Sequence, residues 1–484
     1  MCAAEAKDKP SARRYLKAAA RLVNANKAKW RMLASGEEAT NRTLGMAIAA
    51  DNGTDAVVFL AQAAASPDLS PDTKGNIDLA LGQKYQAGND VPKDDSKALE
   101  HYLQGSSEGN STATLAAAEL YDKGGNGVAQ DYGKAKSMYT AAANAGQEKA
   151  MYNLASLYEQ GHGLSADYAQ ALAWYKKAAE VGDAAAMNRV GYLCENGLGI
   201  TQSYALAMSW YLKAAESDYR DAMNNIGALY FHGLGVPPDG AQAKKWYDRA
   251  AQLGSPEAMC GIGYLYEHGN GVAQDYAKAM DWYQKAAAAG NISAMNNIGS
   301  LYDHHGQGPE DYAKAMDWYR KAADRGYAEA MGNIGYLYDN GRGVTKDYSQ
   351  ALDWYTRAAK AGNPEAMDNL GSLYSTGHGV DKEYGKALFW YHKAADAGNA
   401  EAMHNIGNAY LLGNGVPKDS TQAMTWYVKA AKSGFSHSMY QIAGLYENGQ
   451  GVPKDMNLAH TWYLKAADAG DEDAKKWVAE HGGK

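Results

Sequence analysis

The chain of 484 residues has only three cysteines, Cys2, Cys194 and Cys260, at positions unrelated to one another. That excludes a disulfide framework as the source of stability, and the thiols demand no oxidising compartment. No apolar run approaches the roughly 18 residues needed to span a bilayer. The first thirty residues, MCAAEAKDKPSARRYLKAAARLVNANKAKW, lack the apolar centre of a secretory signal. As it stands the sequence reads as cytoplasmic. The alternative is a periplasmic or secreted protein whose signal was trimmed before Cys2, although no lipobox precedes that cysteine. An excess of positive charge is missing too: 47 Lys and Arg face 55 Asp and Glu, a net charge of -8. Nucleic acid is therefore not expected as the partner of the chain as a whole, because phosphate binding needs a net basic face. There is no HExxH, EF-hand loop or GKS/T phosphate loop, so no metal or cofactor is expected. Phe (4) and Pro (11) are scarce, whereas Tyr (36), Gly (53) and Ala are plentiful. This is the composition of short helices packed closely on small residues, with a glycine at each joint.

What the chain does have is a period. Trp174-Tyr175 returns as Trp210-Tyr211, Trp246-Tyr247, Trp282-Tyr283, Trp318-Tyr319, Trp354-Tyr355, Trp390-Tyr391, Trp426-Tyr427 and Trp462-Tyr463, each 36 residues after the last. A fixed period of that size is the mark of a solenoid, in which each unit buries its apolar face only against its neighbours. Such a chain offers an extended surface in place of one closed pocket, which favours binding over catalysis.

The repeat at 257–290, EAMCGIGYLYEHGNGVAQDYAKAMDWYQKAAAAG, splits into two helices around a glycine loop. Ala258, Met259, Ile262, Leu265 and Tyr266 follow the 3-4 spacing of an amphipathic helix, here called helix A. Gly269 and Gly271 break it, and Asp275 is placed to N-cap helix B, whose inward stripe is Ala279, Met280, Tyr283, Ala286 and Ala287. Gly290 supplies the left-handed residue after helix B, a role that falls to Asp218 in one repeat. Gly191, Gly227, Gly263, Gly299, Gly335, Gly371 and Gly407 recur in mid helix A, with Ala155 and Ala443 in the same column. A helical glycine costs about 1 kcal/mol relative to alanine, so this column predicts close approach of helix B.

The predicted fold is an all-α, α/α solenoid of antiparallel helix pairs. Eleven repeats span 75–470, an irregular helical N-terminal cap spans 1–74, and 471–484 forms a C-terminal capping helix and tail. The step from Tyr102 to Tyr139 is one residue longer than the others, which places an insertion in Gly124-Gly125-Asn126-Gly127. HHGQGPEDYAK, from His304, replaces the usual loop and predicts a different turn at Gly306 to Pro309. Between Lys7 and Arg31 nine basic residues face one Asp. A solvated helix face is the simplest account of them; acidic lipid, nucleic acid or a partner is the functional one.

The consensus A-M-x-N-I-G-x-L-Y-x-x-G-x-G-V-x-x-D-Y-x-K-A-M-x-W-Y-x-K-A-A-x-x-G closely resembles the Sel1-like repeat, a relative of the tetratricopeptide repeat. The resemblance implies a right-handed superhelix with helix A on the inner, concave face. It also implies a role as adaptor or scaffold in envelope biogenesis, signalling, host interaction or protein quality control. Cysteine-rich Sel1-like proteins are linked to penicillin binding and β-lactamase activity. This chain lacks their paired cysteines and contains no S-x-x-K, so a β-lactam-hydrolysing enzyme is a remote alternative.

If helix A faces inward, three of its columns are candidates for holding a partner. Asn153, Asn225, Asn297, Asn333, Asn369 and Asn405 share one register, with Arg189, Gly261 and Gln441 as exceptions. They form an amide ladder able either to hold a peptide backbone or to tie adjacent repeats together. One turn on lies the most varied column, Ser156, Tyr192, Ala228, Tyr264, Ser300, Tyr336, Ser372, Asn408 and Gly444, whose tyrosines could anchor a partner. An acidic column follows at Glu159, Glu195, Glu267, Asp303, Asp339 and Glu447, and as a groove rim it would favour a basic segment. On helix B, Lys177, Lys213, Arg249, Lys285, Lys321, Arg357, Lys393, Lys429 and Lys465 form a basic line. Asp281, Asp317 and Asp353 stand four residues before three of these. The expected function is a non-catalytic scaffold binding a protein or peptide on the helix-A face. The alternative is an envelope-assembly or host-interaction component recruited through the basic N-terminus, the only expected route to a membrane.

Overall fold

The computed structural model describes residues 57, 60, 61, 70–89, 91–162, 165–306 and 308–481. The basic segment and most of the expected N-terminal cap lie outside them. The chain divides into two compact units, residues 1–238 and 239–484.

In the first unit the helices are α1 (Pro71–Ala87), α2 (Asp95–Ser107), α3 (Ser111–Lys123), α4 (Tyr132–Asn144), α5 (Glu148–Gln160), α6 (Tyr168–Glu180), α7 (Ala184–Asn196), α8 (Tyr204–Glu216) and α9 (Arg220–His232). Odd numbers are A helices, and each packs antiparallel on the B helix that follows it within the unit. In the second unit they are α10 (Gly240–Gln252), α11 (Pro256–His268), α12 (Tyr276–Ala288), α13 (Ile292–His305), α14 (Pro309–Ala323), α15 (Ala328–Asn340), α16 (Tyr348–Lys360), α17 (Pro364–Thr376), α18 (Tyr384–Asp396), α19 (Ala400–Leu412), α20 (Ser420–Lys432), α21 (Ser436–Asn448), α22 (Met456–Asp468) and α23 (Glu472–His481). This is the helix-turn-helix array that the period predicts.

Local signals act where they were read. Asp275 Oδ1 accepts from the Lys278 amide at 3.0 Å and caps α12. Gly290 adopts φ 96°, and Asp218, at φ 53°, is the one described residue other than glycine with positive φ. Ala258, Ile262, Leu265, Ala279, Tyr283 and Ala286 have no exposed surface, as the two apolar stripes require. The helix-free stretch 124–131 is one residue longer than 197–203, so the insertion lies in the segment that holds the glycine cluster. At the altered turn both helices lengthen: α13 reaches His305 and α14 begins already at Pro309. Gly306 there has φ -70° in place of the left-handed geometry found at Gly269 or Gly341.

The glycine column of helix A is explained by one side chain. A Cβ added at Gly263, Gly299 or Gly335 would lie 2.6 Å from a ring carbon of Tyr283, Tyr319 or Tyr355 respectively, the tyrosine of each Trp-Tyr pair. Those rings are 0–1% exposed, so helix B approaches helix A to ring thickness. Gly335→Val forces the ring and backbone apart, and we expect a loss of about 1–3 kcal/mol, read as a lower urea midpoint. Gly335→Ala should cost less, since Ala155 and Ala443 occupy the same register.

The tryptophans close the joint from the other side. Trp354 packs against the core built from residues of 279–337, Trp390 against that of 351–373, and Trp426 against that of 387–409. Each therefore belongs to the preceding repeat's core as much as to its own. Lys321 and Lys429 lie over the outer faces of Trp318 and Trp426, 3.7 and 3.8 Å from the ring centroids. Of the three helix-B ion pairs expected, Asp281–Lys285 and Asp353–Arg357 form at 2.8 and 2.7 Å. Asp317 and Lys321 do not pair, and Lys321 rests on Trp318.

Candidate functional site

The acidic column faces the framework first. Tyr175 donates its hydroxyl to Glu159 at 2.8 Å, Tyr211 to Glu195 at 2.7 Å, Tyr283 to Glu267 at 2.5 Å, Tyr355 to Asp339 at 3.4 Å and Tyr463 to Glu447 at 2.7 Å. A buried phenol needs an acceptor, and helix A supplies one in the same repeat. Burial and then the neighbouring carboxylate push these phenols well above their ordinary range. Where Leu411 stands in the acidic register, Tyr427 turns to Asn408 at 2.7 Å, and where Ser375 stands, Tyr391 donates to it at 3.3 Å. The constant offset of 16 residues between acid and tyrosine was visible in the sequence. Only the antiparallel packing of A on B reveals that the two touch.

The amide column ties adjacent repeats together. Asn225 donates to Asn188 at 3.0 Å, Asn333 to Asn296 at 3.1 Å and Asn405 to Asp368 at 3.0 Å; Asn297 meets the Cys260 thiol at 3.6 Å. Asn369 has no such bond, because the corresponding position in the preceding repeat is Gly332, which has no side chain. Asn153 lines a cleft of about 300 Å³ with Tyr132, Ser156, Gln160 and His162. Asn333 lines another of about 540 Å³ with Glu329, Asn363, Glu365 and Asn399, across the N-terminal ends of α15 and α17 and the turn before α19.

Two arginines enter the acidic column. Arg189, in the amide register, pairs with Glu159 of the preceding repeat while its guanidinium lies 4.4 Å from the Tyr192 ring centroid. Arg342, from the loop after α15, pairs with Asp303 at 3.1 Å and donates to the Asp303 carbonyl at 2.8 Å. Burial raises the Asp303 carboxyl above its ordinary value, against the pull of Arg342. Glu195, Glu267 and Asp339 have no ion pair among the described residues.

The tyrosines of the varied column are open. Tyr192, Tyr264 and Tyr336 are 38%, 39% and 42% exposed, whereas the framework tyrosines are buried. Tyr264 stacks on His268 at 3.9 Å between centroids.

Sequence reasoning missed a further contact. The tyrosine that opens helix B lies under the loop of the next repeat: Tyr132 stacks on His162 at 4.8 Å, Tyr348 on His378 at 4.6 Å and Tyr312 under Arg342 at 4.8 Å. The recurring Asp-Tyr pair was its signal. The register that pairs Asn188 with Asn225 also holds two ionisable residues, Asp368 and His404, 5% and 6% exposed. Burial, augmented by Glu401, pushes Asp368 up to about 7, although the Asn405 bond pulls it down. His404 is pushed down to about 4 by burial and then by His437; its Nδ1 lies 2.9 Å from Ser438 Oγ, in a column otherwise alanine. Cys260 is pushed up to about 12 by burial and is a packed thiol, not a reactive one.

Stacked helix pairs with alternating A and B registers and shared joints define a helical solenoid repeat protein. The Sel1 repeat pattern matches residues 5–24 and, in eleven consecutive segments, 78–471, and the chain belongs to the Sel1 repeat family. It is similar to the crystal structure of c5321, a protective antigen present in uropathogenic Escherichia coli strains and displaying the same repeat fold. Identity is 32%, the match covers 88% of this chain and 91% of that one, and the TM-score is 0.54. A Sel1 repeat protein from Oxalobacter formigenes is 31% identical, with 64% of this chain and 90% of that chain covered and a TM-score of 0.46. The alginate biosynthesis protein AlgK of Azotobacter vinelandii is 37% identical over 87 residues, 18% of each chain. The chain thus matches less than a fifth of that relative. No described helix is long and apolar enough to cross a membrane.

Proposed function

We propose that this Sel1 repeat scaffold is non-catalytic and holds a protein or peptide partner on the helix-A face of a unit, through Tyr264 and Tyr336 in the second unit or Tyr192 in the first, with the polar residues beside them. The observation that carries the reading is the exposure of these three tyrosines, each about two-fifths open, in a helix-A column whose residue changes from repeat to repeat. Exposed tyrosines give large, rigid contact area at low cost in side-chain entropy, which is how many binding surfaces obtain affinity. The framework tyrosines, by contrast, are fully committed to packing.

Replacing Tyr264, Asn297 and Tyr336 together by alanine should reduce capture of the native partner at least tenfold in crosslinking pull-downs read by mass spectrometry, with helical circular dichroism unchanged. Undiminished capture by the folded triple variant would remove this face from the function.

A further inference from the structure

The acidic column alternates between carboxylates that the chain itself neutralises and carboxylates that it leaves open. Glu159 uses one oxygen to accept the Tyr175 hydroxyl and the other to hold Arg189. Asp303 holds Arg342. In the second unit, Glu267 and Asp339 keep the tyrosine bond, from Tyr283 and Tyr355, but form no ion pair among the described residues. Burial raises the Asp339 carboxyl above its ordinary value, against the Tyr355 bond and the weaker pull of Lys346 and His378, neither of which forms an ion pair with it.

The residue across each of these two joints explains why the place is open. Arg189 is long enough to reach back to the acid of the preceding repeat. At the same register the partners of Glu267 and Asp339 are Asn297 and Asn369, which stop short. Across the joint Asn297 meets the Cys260 thiol, and Asn369 faces Gly332, which has no side chain. Both joints also carry an exposed tyrosine one turn before the acid, Tyr264 and Tyr336, and a small residue, Ser300 or Ser372, in the next helix. They lie near the C-terminal ends of α11 and α15, where the helix dipole favours positive charge.

Resting on the partner-binding reading above, we propose that Glu267 and Asp339 each receive a guanidinium from an extended basic segment of the partner, taking the place that Arg189 fills at Glu159. The spacing follows from the repeat. Adjacent A helices lie about 10 Å apart and the two open acids are two repeats apart, so the cations must be about 20 Å apart. A polyproline II chain advances about 3.1 Å per residue with three residues per turn, so arginines six residues apart lie on one side at about 19 Å.

The test uses the full chain and two labelled nonapeptides of equal charge. One has arginines six residues apart in a proline background, and the other has them four apart, which puts them on different sides. Fluorescence anisotropy should show the six-spaced peptide binding at least tenfold more tightly. The E267Q/D339N variant, whose amide oxygens still accept from Tyr283 and Tyr355, should lose that tenfold. Asn297→Arg with Asn369→Arg should also lose it, by filling the sites from within. Equal binding of the two peptides, or binding unaffected by either pair of substitutions in folded protein, overturns the proposal. If the peptides fail but the tyrosine and asparagine variant still loses its native partner, the face binds something other than paired cations, and only this inference falls.

Discussion

Tyr283→Ala is expected to destabilise its repeat by about 3–5 kcal/mol, the range for removing a buried aromatic ring. The ring has no exposed surface, lies against Gly263 so closely that a Cβ there would be 2.6 Å away, and donates its hydroxyl to Glu267 at 2.5 Å. Its loss opens a ring-sized cavity between two backbones that have no side chain able to fill it. Tyr283→Phe keeps the ring and removes only the hydrogen bond to a carboxylate that water can reach, so the loss should be about 1 kcal/mol. Because contacts in a solenoid run mainly to the next repeat, the alanine variant should unfold locally. Hydrogen exchange should accelerate in α11, α12 and their neighbours and remain slow in α20 to α22. Uniform acceleration along the whole chain would contradict this nearest-neighbour picture.

Asp368→Asn should raise stability, by an amount that depends on pH. The folded carboxyl is held at about 7, against an ordinary value of 3.8, principally by burial. Below pH 3.8 both folded and unfolded chains carry the proton, and the aspartate imposes no penalty. Between pH 3.8 and 7 the unfolded chain releases the proton and the folded chain keeps it, so stability falls as pH rises; above 7 the full cost is present. At about 1.4 kcal/mol per unit, the cost reaches at most roughly 4 kcal/mol. Asparagine removes it and retains an acceptor for Asn405, as Asn188 and Asn296 do for Asn225 and Asn333. Urea midpoints of variant and parent should therefore coincide near pH 4 and separate by pH 8. Equal midpoints at pH 8 would show that folding does not raise the Asp368 carboxyl above its ordinary value. His404, one repeat on, works in the opposite sense: its folded value is depressed, so its stabilising neutral form is lost as pH falls from 6.5 toward about 4.

The legible part of this protein was local. The recurring helix-B tyrosine, from Tyr102 to Tyr463, counted the repeats, Asp275 marked a helix start, Gly290 a helix end, and HHGQGPEDYAK a turn of different shape. Each is decided by residues within a few positions of one another, through capping bonds, backbone dihedral preference and the 3.6-residue stripe. The glycine column announced that something approached closely, and the identity of that something, the tyrosine ring of the Trp-Tyr pair, followed only from the pairing of A on B.

The helix-A columns were legible as columns and not as contacts. The sequence placed Asn225, Glu267 and Tyr336 in register, and the stacking decided that the first bonds a neighbouring repeat, the second accepts a buried phenol and the third is left exposed. Likewise it offered Arg189 only as an exception in the amide register and Arg342 only as a residue at an unspecified loop position, and the joints turned them into counter-ions for Glu159 and Asp303. The sequence by itself determined helices, ends and period, because those depend on neighbours along the chain. Which side chains meet across a joint depends on the rotation and offset between stacked helices, and that is set by the tertiary packing of Tyr and Trp on glycine and alanine.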